Sequence, residues 1–407
     1  MNRKANLRLK LLTYRQFVTA CVVATALCAG VGTSLLAGAA DASGPLAAGQ
    51  ATIPVSTGTH IPTTVTATTT TTPTASTTTT TSTATRTSTT KTTASPTTLP
   101  AGEAYLPPAG EIFQGSTAPV AAYTHATGKH PAVYQESVAW GQYLPGITTA
   151  APHYRARMMI SISTMYGSKN VITPQGIATG GGDTWLIGLG TQLAMTKNIT
   201  YVELMPEMDN ASAPYSAVNA NGSLRAKPYS SAEFKLAWQR ATLILRGGPV
   251  SLINKQLKKL GMRALKTKLV SLPEAPVAMV WDALTAGTPV VTANAPAAYF
   301  PGKSYVDWVS TDFYSDYPDF KRLTPFVAQY SKFPFMFSDY AIWNGDNDTT
   351  FIPQVFAWIA QHHQARMLVY DDASSHFALS AYPASAIALR HAVAGTAFPQ
   401  YAPEWAR

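Results

Sequence analysis

Two cysteines, Cys21 and Cys28, are the only thiols in this 407-residue chain, and both lie near its amino terminus. If that segment is removed, what remains has no disulfide and no cysteine metal site, so its fold must rest on a hydrophobic core. Roughly 300 residues are ample for one. Residues 43–100 lack almost every aromatic side chain and are dominated by Thr, with Ser, Ala and Pro. Such a segment cannot bury enough apolar surface to offset its ordering entropy and reads as a disordered, extended linker, a stalk that carries O-linked sugar if exported. No His, Cys, Asp or Glu cluster has metal-ligand spacing, and Gly180-Gly-Gly182 lacks the Lys of a phosphate loop. Neither a metal nor a cofactor is expected.

At the amino terminus, Arg3, Lys4, Arg8, Lys10 and Arg15 precede an apolar, Ala-rich run over residues 17–40. Residues 1–42 therefore read as a signal peptide, or as an uncleaved signal anchor, since the run is long enough to span a bilayer. Export makes nucleic acid an unexpected partner and places the protein outside the cell or on its surface, tethered through its N-terminus to membrane or wall. The formal charge of +9 lies largely in the leader and stalk. Its densest run elsewhere, Lys255, Lys258, Lys259, Arg263, Lys266 and Lys268, reads as the polar side of an amphipathic helix with Ile253, Leu257 and Leu260 inward and Gly261 closing it. A solvated face is one reading of it; attraction to an anionic polymer or lipid is the other.

From residue 101 to 407, short apolar runs alternate with helical patterns, the signature of an α/β fold with a parallel sheet. Strands are expected at 112–115, 132–137, 158–163, 201–205, 277–281, 305–309, 335–338 and 366–370, eight in all, which suits a (β/α)8 barrel. Helix punctuation agrees. Asp183 can cap 184–195, Ser230-Ser-Ala-Glu233 is a capping box, Asp348 or Thr349 can cap 351–362, and Pro383 opens a last helix that Gly395 ends. His362 and His363 close a helix, where positive charge suits the dipole.

Such a barrel gathers its chemistry at the C-terminal ends of its strands. Those positions hold Glu136 and Trp140, Glu207 with Asp209 and Asn210, Trp281 with Asp282, Asp312 and Tyr314, Asp339 with Trp343, and Tyr370 with Asp371 and Asp372. Carboxylates mixed with aromatics suit sugar: ring faces stack on sugar faces, and paired carboxylates perform glycosidic acid and nucleophile work. Asp307 and Trp308 are expected in the barrel wall, and His376 in the loop after strand eight.

Pro206-Glu-Met-Asp-Asn210, Tyr299-Phe-Pro-Gly-Lys-Ser-Tyr-Val-Asp-Trp-Val-Ser-Thr-Asp-Phe-Tyr314 and Pro334-Phe-Met-Phe-Ser-Asp-Tyr-Ala-Ile-Trp343 resemble successive signatures of glycoside hydrolase family 26. The resemblance covers roughly residues 110–395 and implies a (β/α)8 retaining β-mannanase-like enzyme acting on β-mannan or a related β-glycan; a monomer is expected. It implies Glu207 as acid/base, Asp339 in the nucleophile position and Tyr314 hydrogen-bonded to that nucleophile. Tyr370, Trp140, Trp281, Trp343, Asn210 and Glu136 are the further substrate-binding candidates.

Three positions depart from the family's pattern. Pro206 stands where members have His, Glu203 where they have Arg, and Asp339 where they have Glu. A second acid beside Glu207 would raise a pKa, and an Asp retracts the nucleophile by about 1.5 Å, a misplacement that costs about a hundredfold in rate. The alternative to an enzyme is a catalytically weak or inactive barrel that binds carbohydrate at the cell surface.

Overall fold

The computed structural model describes residues 105–406 apart from Pro145 and residues 344–348. The leader, its cysteines, the Thr-rich segment and the Asp348 cap lie outside the described residues. In chain order the elements are β1 (Phe113–Ser116), α1 (Val120–Thr127), β2 (Val133–Ala139), α2 (Ile147–Tyr154), β3 (Arg157–Ser163), α3 (Pro174–Ala178), α4 (Asp183–Thr196) and β4 (Thr200–Leu204). There follow α5 (Ser231–Arg246), α6 (Val250–Lys259), β5 (Val277–Asp282), α7 (Pro296–Tyr299), β6 (Trp308–Tyr314) and α8 (Phe320–Gln329). The chain ends with β7 (Phe335–Ala341), α9 (Phe351–Gln361), β8 (Ala365–Tyr370) and α10 (Pro383–Val393). The eight strands close in the order β1-β8-β7-β6-β5-β4-β3-β2, every pairing parallel. The fold is a (β/α)8 barrel.

Strand alternation divides the apolar residues between two cores. Val133, Met159, Tyr201, Val280, Trp308, Met336 and Met367 fill the lower barrel interior, while Val202, Leu204, Met279, Trp281, Val309, Phe337 and Tyr370 lie in the layer between strands and helices. Tyr201 and Trp308 meet edge to face at 5.8 Å. Above this lower layer the inward positions turn polar, so a packed floor carries a polar mouth.

The sixth strand is displaced from the expected 305–309. Lys303–Tyr305 forms a turn of 3₁₀ helix after Gly302 at φ 101°, the Tyr305 carbonyl accepts the Trp238 indole N–H (2.8 Å), and the strand begins only at Trp308. Asp312 and Tyr314 therefore belong to the strand itself. Asp307 sits just before it and accepts the Met279 N–H (2.7 Å) and Arg246 Nη2 (2.8 Å), a wall-bonding role as expected.

Helix caps follow the sequence in part. Ser230 Oγ accepts the Glu233 N–H (3.3 Å), but the Glu233 carboxylate meets Gln175 Nε2 (3.2 Å) instead of returning to Ser230. Asp183 caps nothing. Arg240 grips both its oxygens, Nε to Oδ1 at 2.7 Å and Nη2 to Oδ2 at 2.6 Å, and donates to the Arg263 carbonyl (2.8 Å). The pair ties α4 to α5. Removing the guanidinium strands a largely buried carboxylate, so Arg240→Met is expected to cost about 3–5 kcal/mol of stability, measured as a shift of the denaturant midpoint at unchanged slope. A loss under about 1 kcal/mol, as for a surface pair, would refute that role. The turn after α5 needs glycine: Gly247 has φ 76°, and a Cβ there would lie 2.0 Å from the Pro273 carbonyl oxygen.

At the floor, Arg157 and the Tyr201 hydroxyl converge on the Tyr105 carbonyl, with Arg157 also paired to Glu404 (2.8 Å). Arg366 holds the carbonyls of Pro107, Pro108 and Glu111. The chain thus joins the barrel at the end opposite its mouth.

Candidate active site

Glu207 lies one short turn beyond β4, and that turn is heavily clamped. Met205 and Glu207 both adopt left-handed backbone, at φ 53° and 48°, a conformation that costs a non-glycine residue on the order of 1 kcal/mol or more and persists only where its surroundings impose it. The Glu207 N–H donates to Asp282 Oδ2 (2.9 Å), the Pro206 carbonyl accepts the Tyr215 hydroxyl (2.6 Å), and Asn210 Nδ2 donates to Glu207 Oε2 (3.0 Å). Asp209, fully buried, accepts the Leu284 N–H (2.9 Å) and locks this turn to the loop after β5. Pro206, lacking an N–H, still contributes its carbonyl.

Asp339 reaches the mouth through a β-bulge. Thr311 and Phe313 of β6 pair with Phe337 and Tyr340 of β7, so one residue, Asp312, opposes two, Ser338 and Asp339. The same step recurs against β8, where Phe337 pairs with Leu368 and Tyr340 with Tyr370. Phe337 and Tyr340 both face the helices, so the extra residue lets Ser338 and Asp339 both face inward. Gln135 Nε2, from β2, lies 3.3 Å from each Asp339 oxygen.

Between these two carboxylates sits a shared-proton network. Ser338 Oγ is 3.0 Å from Asp282 Oδ1 and 3.0 Å from Asp312 Oδ1, while Ser310 Oγ is 3.2 Å from the same Asp282 oxygen. A serine hydroxyl has one proton to give. For both Ser338 contacts to be hydrogen bonds, one of the two aspartates must carry a proton. Burial agrees: it pushes Asp282 up to about 7, with the Glu207 charge adding to it, and holds Asp312 well above the usual range, with Asp282 next in effect. Glu203, inward on β4 and 1% exposed, is pushed up to about 8 by burial and then by Asp282. Asp339 is likewise raised well above the usual carboxylate range, first by burial, then by Asp371, with Glu203, Asp282 and Glu207 contributing.

These shifts fix a sign. Carboxyls whose folded pKa lies above the unfolded value bind protons more tightly when folded, so their contribution to stability is complete below about pH 4 and is lost as pH rises through the folded values near 7 and 8. Stability is therefore expected to fall between about pH 5 and about pH 9. Glu203→Gln should flatten that fall and stabilise the protein by roughly 2–4 kcal/mol at the alkaline end, read from denaturant curves at both pH values. An unchanged pH slope in the variant would contradict a neutral buried Glu203.

One wall of the mouth is aromatic. Tyr314 stacks on Phe377 (5.4 Å, 28°) and meets Trp343 edge-on (5.0 Å), and Trp343 also meets Phe377 edge-on (5.3 Å). The Tyr314 hydroxyl donates to Asp371 Oδ2 (3.3 Å), not to Asp339 as the family resemblance implies. Asp371 is further held by Thr117 Oγ1 (3.3 Å) and the Ala373 N–H (3.2 Å). His376 is exposed in the same loop, its carbonyl accepting the Tyr382 hydroxyl (2.6 Å). His362 closes α9, stacked on Trp358 at 4.0 Å.

Four expected substrate contacts lie elsewhere. Trp281 is fully buried outside the barrel against Phe300, Phe326 and Tyr330, because alternation sends its neighbour Asp282 inward. Tyr370 is also buried in the outer layer, its hydroxyl accepting from Ile342 N–H (3.3 Å) and donating to the Phe377 carbonyl (3.1 Å), so it supports the aromatic wall from behind. Glu136 points out of β2 toward α2, where it lines a surface pocket of about 330 Å³ with Tyr143, His153 and Tyr154. Trp140 is buried against Trp185 of α4 at 4.5 Å. Gln135, Ser310 and Ser338 escaped the sequence reading; strand alternation, with Val133, Trp308 and Met336 inward, carried a signal for each of them.

No family model matches this chain, and no curated protein does. Solved structures similar to it include a Bacillus subtilis mannanase, at 15% identity over 72% of this chain and 88% of that one, TM-score 0.47. A GH26A from Muricauda sp. matches at 13% over 71% and 91%, TM-score 0.47. A β-mannanase from a symbiotic protist of the termite Reticulitermes speratus, complexed with gluco-manno-oligosaccharide, matches at 10% over 71% and 88%, TM-score 0.42. The likeness assigns no role to any residue of this chain.

Proposed function

We propose that this protein is an exported glycoside hydrolase that cleaves β-linked polysaccharide, β-mannan or a related β-glycan, with retention of configuration. The observation that carries this reading is the delivery of Glu207 and Asp339 to one mouth from β4 and β7, three strands apart in the closed barrel, beside the Tyr314–Trp343–Phe377 wall. In the first step Asp339 attacks the anomeric carbon while Glu207 protonates the departing glycosidic oxygen, leaving a glycosyl ester on Asp339. In the second, Glu207 takes a proton from water, which attacks the same carbon and frees Asp339. Tyr314 and Trp343 offer faces on which sugar rings stack.

A second reading, a barrel that binds glycan without turning it over, is favoured by one observation: the Tyr314 hydroxyl is turned to Asp371 and not to Asp339, which meets the Gln135 amide instead. Reducing-end release from a panel of β-mannan, glucomannan, mixed-linkage glucan and xylan separates the two. Release from at least one, with the anomeric configuration of the first product retained, supports the hydrolase. Retention of the polysaccharide with no release supports the binding barrel.

A further inference from the structure

The two ends of the barrel differ in kind. The mouth gathers Glu207, Asp282, Asp312, Asp339 and Asp371, whereas among the described residues the floor exposes more lysine and arginine than acid, its exposed Glu404 being paired with Arg157. Between α5 and β5 the chain makes an excursion at the floor: α6 and the segment after it leave where Arg246 meets Ser304 and Asp307, and return through the pairing of Gly248 and Pro249 with Leu272 and Ser271. From residue 250 to 272 it contains Lys255, Lys258, Lys259, Arg263, Lys266 and Lys268 and no acidic residue. All six cations are exposed, while Ile253 and Leu257 turn inward and fix the helix to the body. At its tip Leu269 is 48% and Val270 89% exposed, directly beside Lys266 and Lys268. Lys197, Lys303 and Lys332, in the loops leading into β4, β6 and β7, extend the basic surface; Glu274, just before β5, is the exposed acid nearest in sequence.

We propose that this face docks on a lipid bilayer containing anionic phospholipid. Clustered lysines beside protruding apolar side chains suit a charged interface, where the cations meet headgroups and Leu269 and Val270 enter the acyl boundary. The path of the chain favours a bilayer over a soluble polymer. Tyr105, the first described residue, is held at this same floor, and in sequence residues 17–40, which hold no charged side chain, are 24 residues long, enough to span a membrane. A tether on that side raises the effective concentration of the floor at the surface, so a weak interfacial affinity suffices. The mouth, at the opposite end of the barrel, points away from it.

All eight tryptophans lie beyond residue 104, so energy transfer from tryptophan to a dansyl lipid reports the approach of the barrel itself in the full chain. The full chain is reconstituted in vesicles of phosphatidylcholine alone or of equimolar phosphatidylcholine and phosphatidylglycerol. Transfer is expected to be strong only in the second, to fall with added salt, and to fall again in a Lys258→Glu, Lys266→Glu, Lys268→Glu variant. Each basic residue near an anionic surface is worth about fivefold in partitioning, so the loss should exceed about a hundredfold. Val270→Asp, which leaves every lysine in place, should weaken transfer independently. Equal transfer in both vesicle types, or variants that match the parent, would overturn the proposal. So would tight binding to soluble polyphosphate without any response to lipid composition.

Discussion

Glu207→Gln is expected to cut polysaccharide turnover by roughly a thousandfold, within the range that general acid catalysis supplies, while leaving polysaccharide binding nearly unchanged. Gln keeps an oxygen for the Asn210 amide and leaves the backbone bond to Asp282 intact, so the turn that holds position 207 at φ 48° survives. What disappears is the proton given to the leaving oxygen. The deficit should therefore depend on the leaving group, large for a sugar alkoxide and much smaller for an activated aryl glycoside that departs unassisted. The measurement is kcat on polysaccharide set against kcat on a nitrophenyl glycoside, with affinity electrophoresis for binding. Equal deficits on both substrates would mean that Glu207 does something other than donate a proton, and no deficit on either would remove it from the site.

The barrel was legible because strand periodicity is a local property. Seven of the eight strands fall within a residue or two of their expected positions at the starting end, and the exception, β6, is delayed by a turn whose reason is a bond from a distant tryptophan, Trp238 to Tyr305. Side-chain direction was less legible, since a shift of one residue exchanges the two faces of a strand. That is the difference between Trp281 and Asp282, neighbours of which one is buried under α8 and the other lies at the centre of the acid network. Glu136 and Tyr370 were placed at the mouth for the same reason. The bulge in β7 reverses the problem: strict alternation allows only one of Ser338 and Asp339 to face inward, and both do. Nothing local marks it, because it is defined by the partners on β6 and β8.

Glu203 illustrates what the sequence could supply in chemistry but not in geometry. Its spacing from Glu207 predicts a second acid and a raised pKa, which the fold delivers, yet its strongest charged neighbour is Asp282 on the next strand, not Glu207. The acids thus form a network spanning β4 to β8 instead of an isolated pair. With one of Asp282 and Asp312 carrying a proton across Ser338, negative charge in the mouth is limited, and a substrate sugar meets a less repulsive surface than the count of carboxyls suggests.

Asp339 is the residue on which hydrolysis and mere binding part company. Asp339→Ala is expected to lower turnover by at least about a thousandfold, since it removes the positioned nucleophile, and added azide should restore a fraction of it, yielding a glycosyl azide of inverted configuration. A structural acid would show no such rescue. The conservative change carries a further prediction. The bulge brings Asp339 inward and Gln135 meets both its oxygens at 3.3 Å; an added methylene pushes the carboxylate about 1.5 Å past that partner, a displacement that costs about a hundredfold. Asp339→Glu should therefore be slower than the parent on the same polysaccharide, with KM little changed. If it is faster by that factor, the short side chain is what limits the native protein, and the barrel's present use is the binding of glycan. If both variants match the parent, the nucleophile lies elsewhere in the network, and Asp312, held beside Ser338 on the adjoining strand, is the carboxyl to replace next.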